Sequence, residues 1–177
     1  MPTILAHTAV PLALAADFGT RRVPPRLLAA GIAASMLPDL DVVAFALRIP
    51  YGSDFGHRGF THSIAFALGI GLLAALVYRE LRATFARTFV FISAAIASHG
   101  LLDVFTNGGL GVALLWPWSG ERFFAPVRPI QVAPISLQAM LSERGSAVLR
   151  SELLWVWIPA GILAIVLRLT ASRSRTA

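Results

Sequence analysis

Five apolar segments divide this chain, and between them it has too few polar residues to cover a water-facing surface. They run from about Ile4 to Phe18, Arg26 to Leu47, Ser63 to Tyr78, Thr88 to Phe105 and Leu153 to Leu169. Charged residues make up 14% of the 177, where a soluble domain carries about a quarter. Lipid is the solvent such a sequence is suited to. A helical span needs ~20 residues at ~1.5 Å each, so several of these segments are short, and Pro38 breaks the second. The expected fold is all-α, a polytopic helical membrane bundle of four to five segments forming a single domain over residues 1–177. Its motifs occupy about residues 5–125, and a C-terminal membrane helix covers about 153–169.

Every basic residue is Arg, 15 in all, and the net charge is +6. The arginines fall in short clusters between apolar runs: Arg21, Arg22 and Arg26; Arg79, Arg82 and Arg87; Arg168, Arg173 and Arg175. Nucleic-acid binders carry basic stripes or patches instead, so no nucleic-acid partner is expected. Clusters of this kind mark cytoplasmic loops. Residues 48–62 and 107–152 are poorer in arginine, which puts the N-terminus and those loops outside. Ala13-Leu14-Ala15 imitates a signal cleavage site, but no basic residue precedes it, and the segment is read as retained.

Cysteine is absent, so a metal would be held by imidazole and carboxylate. That donor set suits zinc first, with Mn, Fe and Mg as other members. The four histidines are His7, His57, His62 and His99. His99 and Asp103 stand four apart, which on a helix puts both on one face, able to share one ion or to orient each other. Asp39 and Asp41 follow Pro38 at a helix break. Two residues apart in extended chain they point opposite ways, so one of them is expected to be a ligand and the other to serve beside it. His57-Arg58-Gly59-Phe60-Thr61-His62-Ser63 contains a glycine turn that can aim both imidazoles at one point, with Thr61 or Ser63 capping the helix that follows. Arg58 offers a fork for a phosphate or carboxylate. On the arginine-derived topology all these groups face the outer side. Ionisable groups in membrane segments are costly and usually functional, whereas each motif alone could be a helix cap, an interhelical hydrogen bond or a head-group contact.

The order of these pieces carries a resemblance. His7, Leu-Pro-Asp-Leu-Asp at 37–41, His-Arg-Gly-Phe-Thr-His-Ser at 57–63 and Ser-His-Gly-Leu-Leu-Asp at 98–103, with Trp-Pro-Trp-Ser at 116–119, resemble the YdjM-like family of bacterial membrane-bound metal-dependent hydrolases. That pattern is in turn distantly similar to zinc-dependent phospholipase C. The chain lacks the later histidine and the His-x-x-x-Glu ligands of that enzyme, and with them the ligands for a full three-metal cluster.

The resemblance implies a multi-pass inner-membrane hydrolase. One or two ions would be held by His7, Asp39, His57 or His62, His99 and Asp103. Asp41 would act as general base, and Arg58, Arg122 or Arg128 would grip an anionic group. A site at the membrane face suits a lipid-like phosphoester or ester. The rival reading is a non-catalytic or ion- or proton-relaying membrane protein. A relay needs polar groups through the whole bilayer depth, and Asp17 is the main inner candidate. The aromatic stretch 116–130 reads as an interfacial belt rather than a substrate lid.

Overall fold

The computed structural model describes residues 1–134 and 136–173, without the side chains of 17–21, 167 and 170–173. Asp17 and Arg21 thus lie outside the described side chains, as do Arg173 and Arg175. Eight α-helices order the described chain: α1 (Ala9–Arg22), α2 (Pro25–Met36), α3 (Val43–Ala46), α4 (Ile64–Leu76), α5 (Phe85–Val104), α6 (Leu137–Met140), α7 (Glu143–Glu152) and α8 (Ile158–Arg173). Among the described residues there is no sheet, only isolated bridges pairing Thr106 with Ile130 and Val112 with Phe123. The all-α bundle expected from the apolar segments is what forms.

Local chemistry explains the helix ends. Pro25 occupies the first turn of α2, where its missing N–H would have had no partner in any case. Ser63 caps α4 by accepting from Phe66 N at 3.0 Å, and Thr84 caps α5 by accepting from Arg87 N at 3.3 Å. The break expected at Pro38 is a tightening rather than an interruption. The chain passes from α2 into a 3-10 stretch, Leu37–Val42, and on into α3, giving one helical run over Pro25–Ala46. The winding change absorbs the proline without ending the rod. Pro159 is handled in a related way: a π-helical stretch, Leu153–Trp157, joins α7 to α8 just before it.

Among the described residues three helical runs are long and apolar enough to cross a membrane: Pro25–Ala46, Phe85–Val104 and Glu143–Val166. Two more, Ala6–Ala16 and Ile64–Leu76, are apolar but shorter. The last long run begins ten residues earlier than the apolar stretch suggested, because the polar segment 143–152 is itself helical. It buries a stripe of Gly145, Val148, Ser151 and Glu152, and Glu152 accepts hydrogen bonds from the Thr3 backbone N–H and, at 2.7 Å, its hydroxyl.

The packing inverts the water-soluble order. Leu72, Leu73, Leu76, Ile162, Leu163, Ile165 and Val166 point outward, while Ser35, Asp39, Arg58, Thr88, His99 and Asp103 are buried. Small residues permit this. A methyl group on Gly71 would overlap Ser93 Oγ, and one on Gly31 would overlap the Phe91 ring, so α4 and α2 both lie close on α5. Val23, Leu27, Ala67, Phe91, Ile92 and Ile96 form the apolar core between them. α1 packs against α8, and Ala6, Ala9, Ile130 and Val156 form a second small core.

Candidate metal centre

The helix order delivers the polar residues to one end of the bundle. Asp39 and Asp41 follow the C-terminal end of α2, His99 and Asp103 occupy the last turns of α5, His7 stands just before α1, and His62 just before α4. Arg22, Arg26, Arg79, Arg82 and Arg87 lie at the opposite ends of those same helices, where Arg26 Nη1 donates to the Glu80 carbonyl at 3.2 Å.

Asp39, His62, His99 and Asp103 are all buried, and each offers a ligand atom within 4.8 Å of those of the other three. His99 Nε2 is 3.2 Å from Asp39 Oδ1 and 3.2 Å from His62 Nε2. His62 Nε2 is 3.3 Å from Asp103 Oδ2 and 3.8 Å from Asp39 Oδ1. Two imidazole nitrogens and two carboxylate oxygens at these separations can hold a divalent cation. Among the described residues both Asp39 oxygens lack a hydrogen-bond partner, a costly state for a buried carboxylate.

The surrounding groups set how the rings face. His99 Nδ1 lies 2.7 Å from the Ser35 carbonyl, so that nitrogen carries the proton and Nε2 is the free lone pair. His62 Nδ1 lies 3.2 Å from Asp41 Oδ2, which turns its Nε2 inward in the same manner. Asp41 also accepts from the Thr61 hydroxyl at 2.8 Å and the Arg58 backbone N–H at 3.0 Å, and its Oδ1 is 2.5 Å from His57 Nδ1. Burial disfavours a charge on His62, but the Asp103 and Asp41 carboxylates outweigh it and raise its pKa to about 9. A cation bound there would displace that proton.

The two aspartates of the 37–41 run therefore diverge in a 3-10 helix as they would in an extended strand. Asp39 faces His62 and His99, and Asp41 faces the 57–62 loop. His57 is not among the four; its Nδ1 is on Asp41. Arg58 is wholly buried, its Nε 2.9 Å from Asp103 Oδ2, its Nη1 donating to the Gly108 carbonyl at 3.0 Å, and its Nη2 without a partner among the described residues. Its backbone φ of 61° lies in the left-handed region, a strained conformation for a non-glycine residue. Thr61 is engaged by Asp41, and Ser63 is the helix cap. His7 lies beside the four, stacked on His99 with ring centroids 3.5 Å apart.

Sequence reasoning missed the backbone support, and it gave Arg122 and Arg128 to an anionic group, whereas both are engaged within the protein. The Ser35 carbonyl has no side-chain signature. Arg122 gives its guanidinium to the carbonyls of Tyr51, Ser53, His57 and Gly111, at 3.0, 2.9, 3.1 and 3.3 Å, and so ties the 105–130 segment over the 51–58 loop. Arg128 lies over the Phe124 ring at 4.6 Å. A cleft of about 420 Å³, lined by residues including Leu14, Arg22, Leu27, Arg87 and Phe91, opens at the arginine-bearing end and shares no residue with the His/Asp cluster.

The inner membrane protein YbcI of Escherichia coli (strain K12) is 49% identical over 164 residues, covering 92% of this chain and 95% of that protein. No solved structure matches the chain. The model of the YdjM inner membrane protein family matches residues 1–175. With nearly its whole length matched, the chain belongs to the YdjM inner membrane protein family.

Proposed function

We propose that the protein is a metal-dependent hydrolase of the bacterial inner membrane, a single unit over residues 1–177, cleaving a phosphoester or ester of a lipid-like substrate. The observation that carries this reading is the buried convergence of Asp39, His62, His99 and Asp103, two of them imidazoles oriented by the Ser35 carbonyl and by Asp41. Zinc fits the mixed nitrogen and oxygen donors best. A bound dication would lower the pKa of a water toward ~7 and polarise the scissile oxygen.

The chain's own residues divide the remaining work. Asp41 holds His57 and His62 in place, and His57, oriented through its Nδ1 by Asp41, accepts the proton released by the attacking water. Arg58 Nη2, buried and without a partner among the described residues, is poised for an anionic oxygen of the substrate. The arginine clusters at the far ends of the same helices support a site toward the outer face, since such clusters stay cytoplasmic.

One observation favours a second reading. Four protein ligands around one ion are the pattern of a closed, structural metal site, whereas catalytic sites keep a position open. Activity separates the two. Detergent-solubilised protein given phosphomonoester, phosphodiester and carboxylic-ester lipids is expected to hydrolyse one class, to lose turnover with a chelator and to regain it on adding Zn²⁺ or Mn²⁺. Stoichiometric metal with no turnover on any of the three would leave the structural reading in place.

A further inference from the structure

Each carboxylate of the four-residue group uses one oxygen there. Asp39 presents Oδ1 to His62 and His99, and Asp103 presents Oδ2 to His62. The remaining oxygens face the other way, toward His7. His7 Nε2 lies 3.9 Å from Asp39 Oδ2 and 4.0 Å from Asp103 Oδ1.

These separations are too long for hydrogen bonds. His7 is nonetheless fully buried, and neither of its ring nitrogens has a hydrogen-bond partner among the described residues. Stacking on His99, with 11° between the ring planes, fixes the imidazole so that Nε2 is held toward the two oxygens. Buried donors that face one another without touching leave room for something between them. At ligand distances of about 2.0–2.2 Å, two ligands of one ion stand at most about 4.4 Å apart, and both His7 separations fall inside that limit.

We infer that the cluster is a two-cation centre bridged by both aspartates. One ion is held by His62 Nε2, His99 Nε2, Asp39 Oδ1 and Asp103 Oδ2; the other by His7 Nε2, Asp39 Oδ2 and Asp103 Oδ1. The inference rests on the metal reading above and adds a second site to it. It also removes the objection of the closed first site: the second ion has only three protein ligands, so a coordination position is left for water or substrate.

Charge then indicates what joins the second ion. The one guanidinium in direct contact with the Asp39, Asp41 and Asp103 carboxylates among the described residues is that of Arg58, whose Nε is on Asp103. A single dication balances the remaining negative charge when the imidazoles are neutral. A second dication leaves a positive excess in a buried place, which an anion must offset. Arg58 Nη2 points to the same class of ligand. The second ion therefore enters together with a hydroxide or a phosphoester oxygen, and inorganic phosphate strengthens its binding.

The test uses the full chain in detergent, Mn²⁺ as the probe, and equilibrium dialysis with elemental analysis, with and without inorganic phosphate. The wild-type protein is expected to take up two Mn²⁺ per chain in phosphate and to show the exchange-coupled resonance of a bridged pair. His7→Gln, which keeps a polar side chain of similar volume, is expected to lose one Mn²⁺ and the coupling while keeping wild-type helix content by circular dichroism. Wild-type uptake that saturates at one ion, or two ions retained in a folded His7→Gln protein, overturns the inference and leaves the first site standing. No Mn²⁺ in the wild type under either condition overturns the metal reading itself. If His7→Gln does not fold, the wild-type stoichiometry and coupling decide alone.

Discussion

Replacing Asp103 by alanine is expected to destabilise the protein by about 3–5 kcal/mol and to abolish metal uptake, because one carboxylate serves two partners. Its Oδ2 is 2.9 Å from Arg58 Nε and 3.3 Å from His62 Nε2, and all three residues are buried. Removing it strands a guanidinium in the protein interior beside an imidazole that has lost one of its carboxylate partners and keeps Asp41. A cavity is the smaller part of the damage; the uncompensated charge is the larger. Thermal unfolding in detergent, read beside metal content, measures both effects. Asp103→Asn should recover part of the stability, since an amide oxygen still accepts from Arg58, yet it should not recover the ion. If Asp103→Ala unfolds like the wild type, the Arg58 pairing described above is wrong.

Gly100→Ala is expected to reduce metal affinity about 10–100-fold although it removes no ligand, the scale on which supporting contacts act at metal sites. A methyl group at this position would overlap the His62 backbone carbonyl oxygen, and it would come 3.2 Å from Leu114 Cδ2. The glycine is what lets α5 lie directly against the turn that presents His62. With a side chain there, either the helix or the turn must shift, and His62 Nε2 moves away from His99 Nε2 and Asp103 Oδ2. Isothermal titration with Zn²⁺ or Mn²⁺ tests this, with helix content as the control for folding. Unchanged affinity in a folded Gly100→Ala protein would show that the position of His62 does not depend on this contact.

The parts of the centre that could be read from the chain are those whose residue types are scarce. Four histidines in an apolar chain stand out, and an ionisable group in lipid requires a reason. The four-residue spacing of His99 and Asp103 needed only a helix, and α5 supplies one. The winding around Asp39 and Asp41 could not be read: Pro38 signals disturbance but not whether the helix ends or tightens, and here it tightens into a 3-10 stretch.

Arg58 illustrates a different limit. Its type suggests a ligand for substrate anions, and nothing in the sequence around it says that Asp103, 45 residues on, will take its Nε. Likewise His57 and His62 look equivalent in His-Arg-Gly-Phe-Thr-His, and only the fold separates them, placing one on Asp41 and the other among the four. Backbone partners such as the Ser35 and Gly108 carbonyls carry no side-chain signal at all. The helix starting at Glu143 was hidden by polarity, because a membrane criterion looks for apolar runs and α7 is polar on the side that does not pack.

The most direct measurement is the metal content of the purified full-length protein beside that of His99→Ala and Asp39→Ala. Shared coordination predicts at least one firmly held divalent ion per chain in the wild type, surviving dialysis, and its loss in each folded variant. Wild-type protein that retains no ion after exposure to Zn²⁺ or Mn²⁺, or variants that hold as much as the wild type, would contradict it.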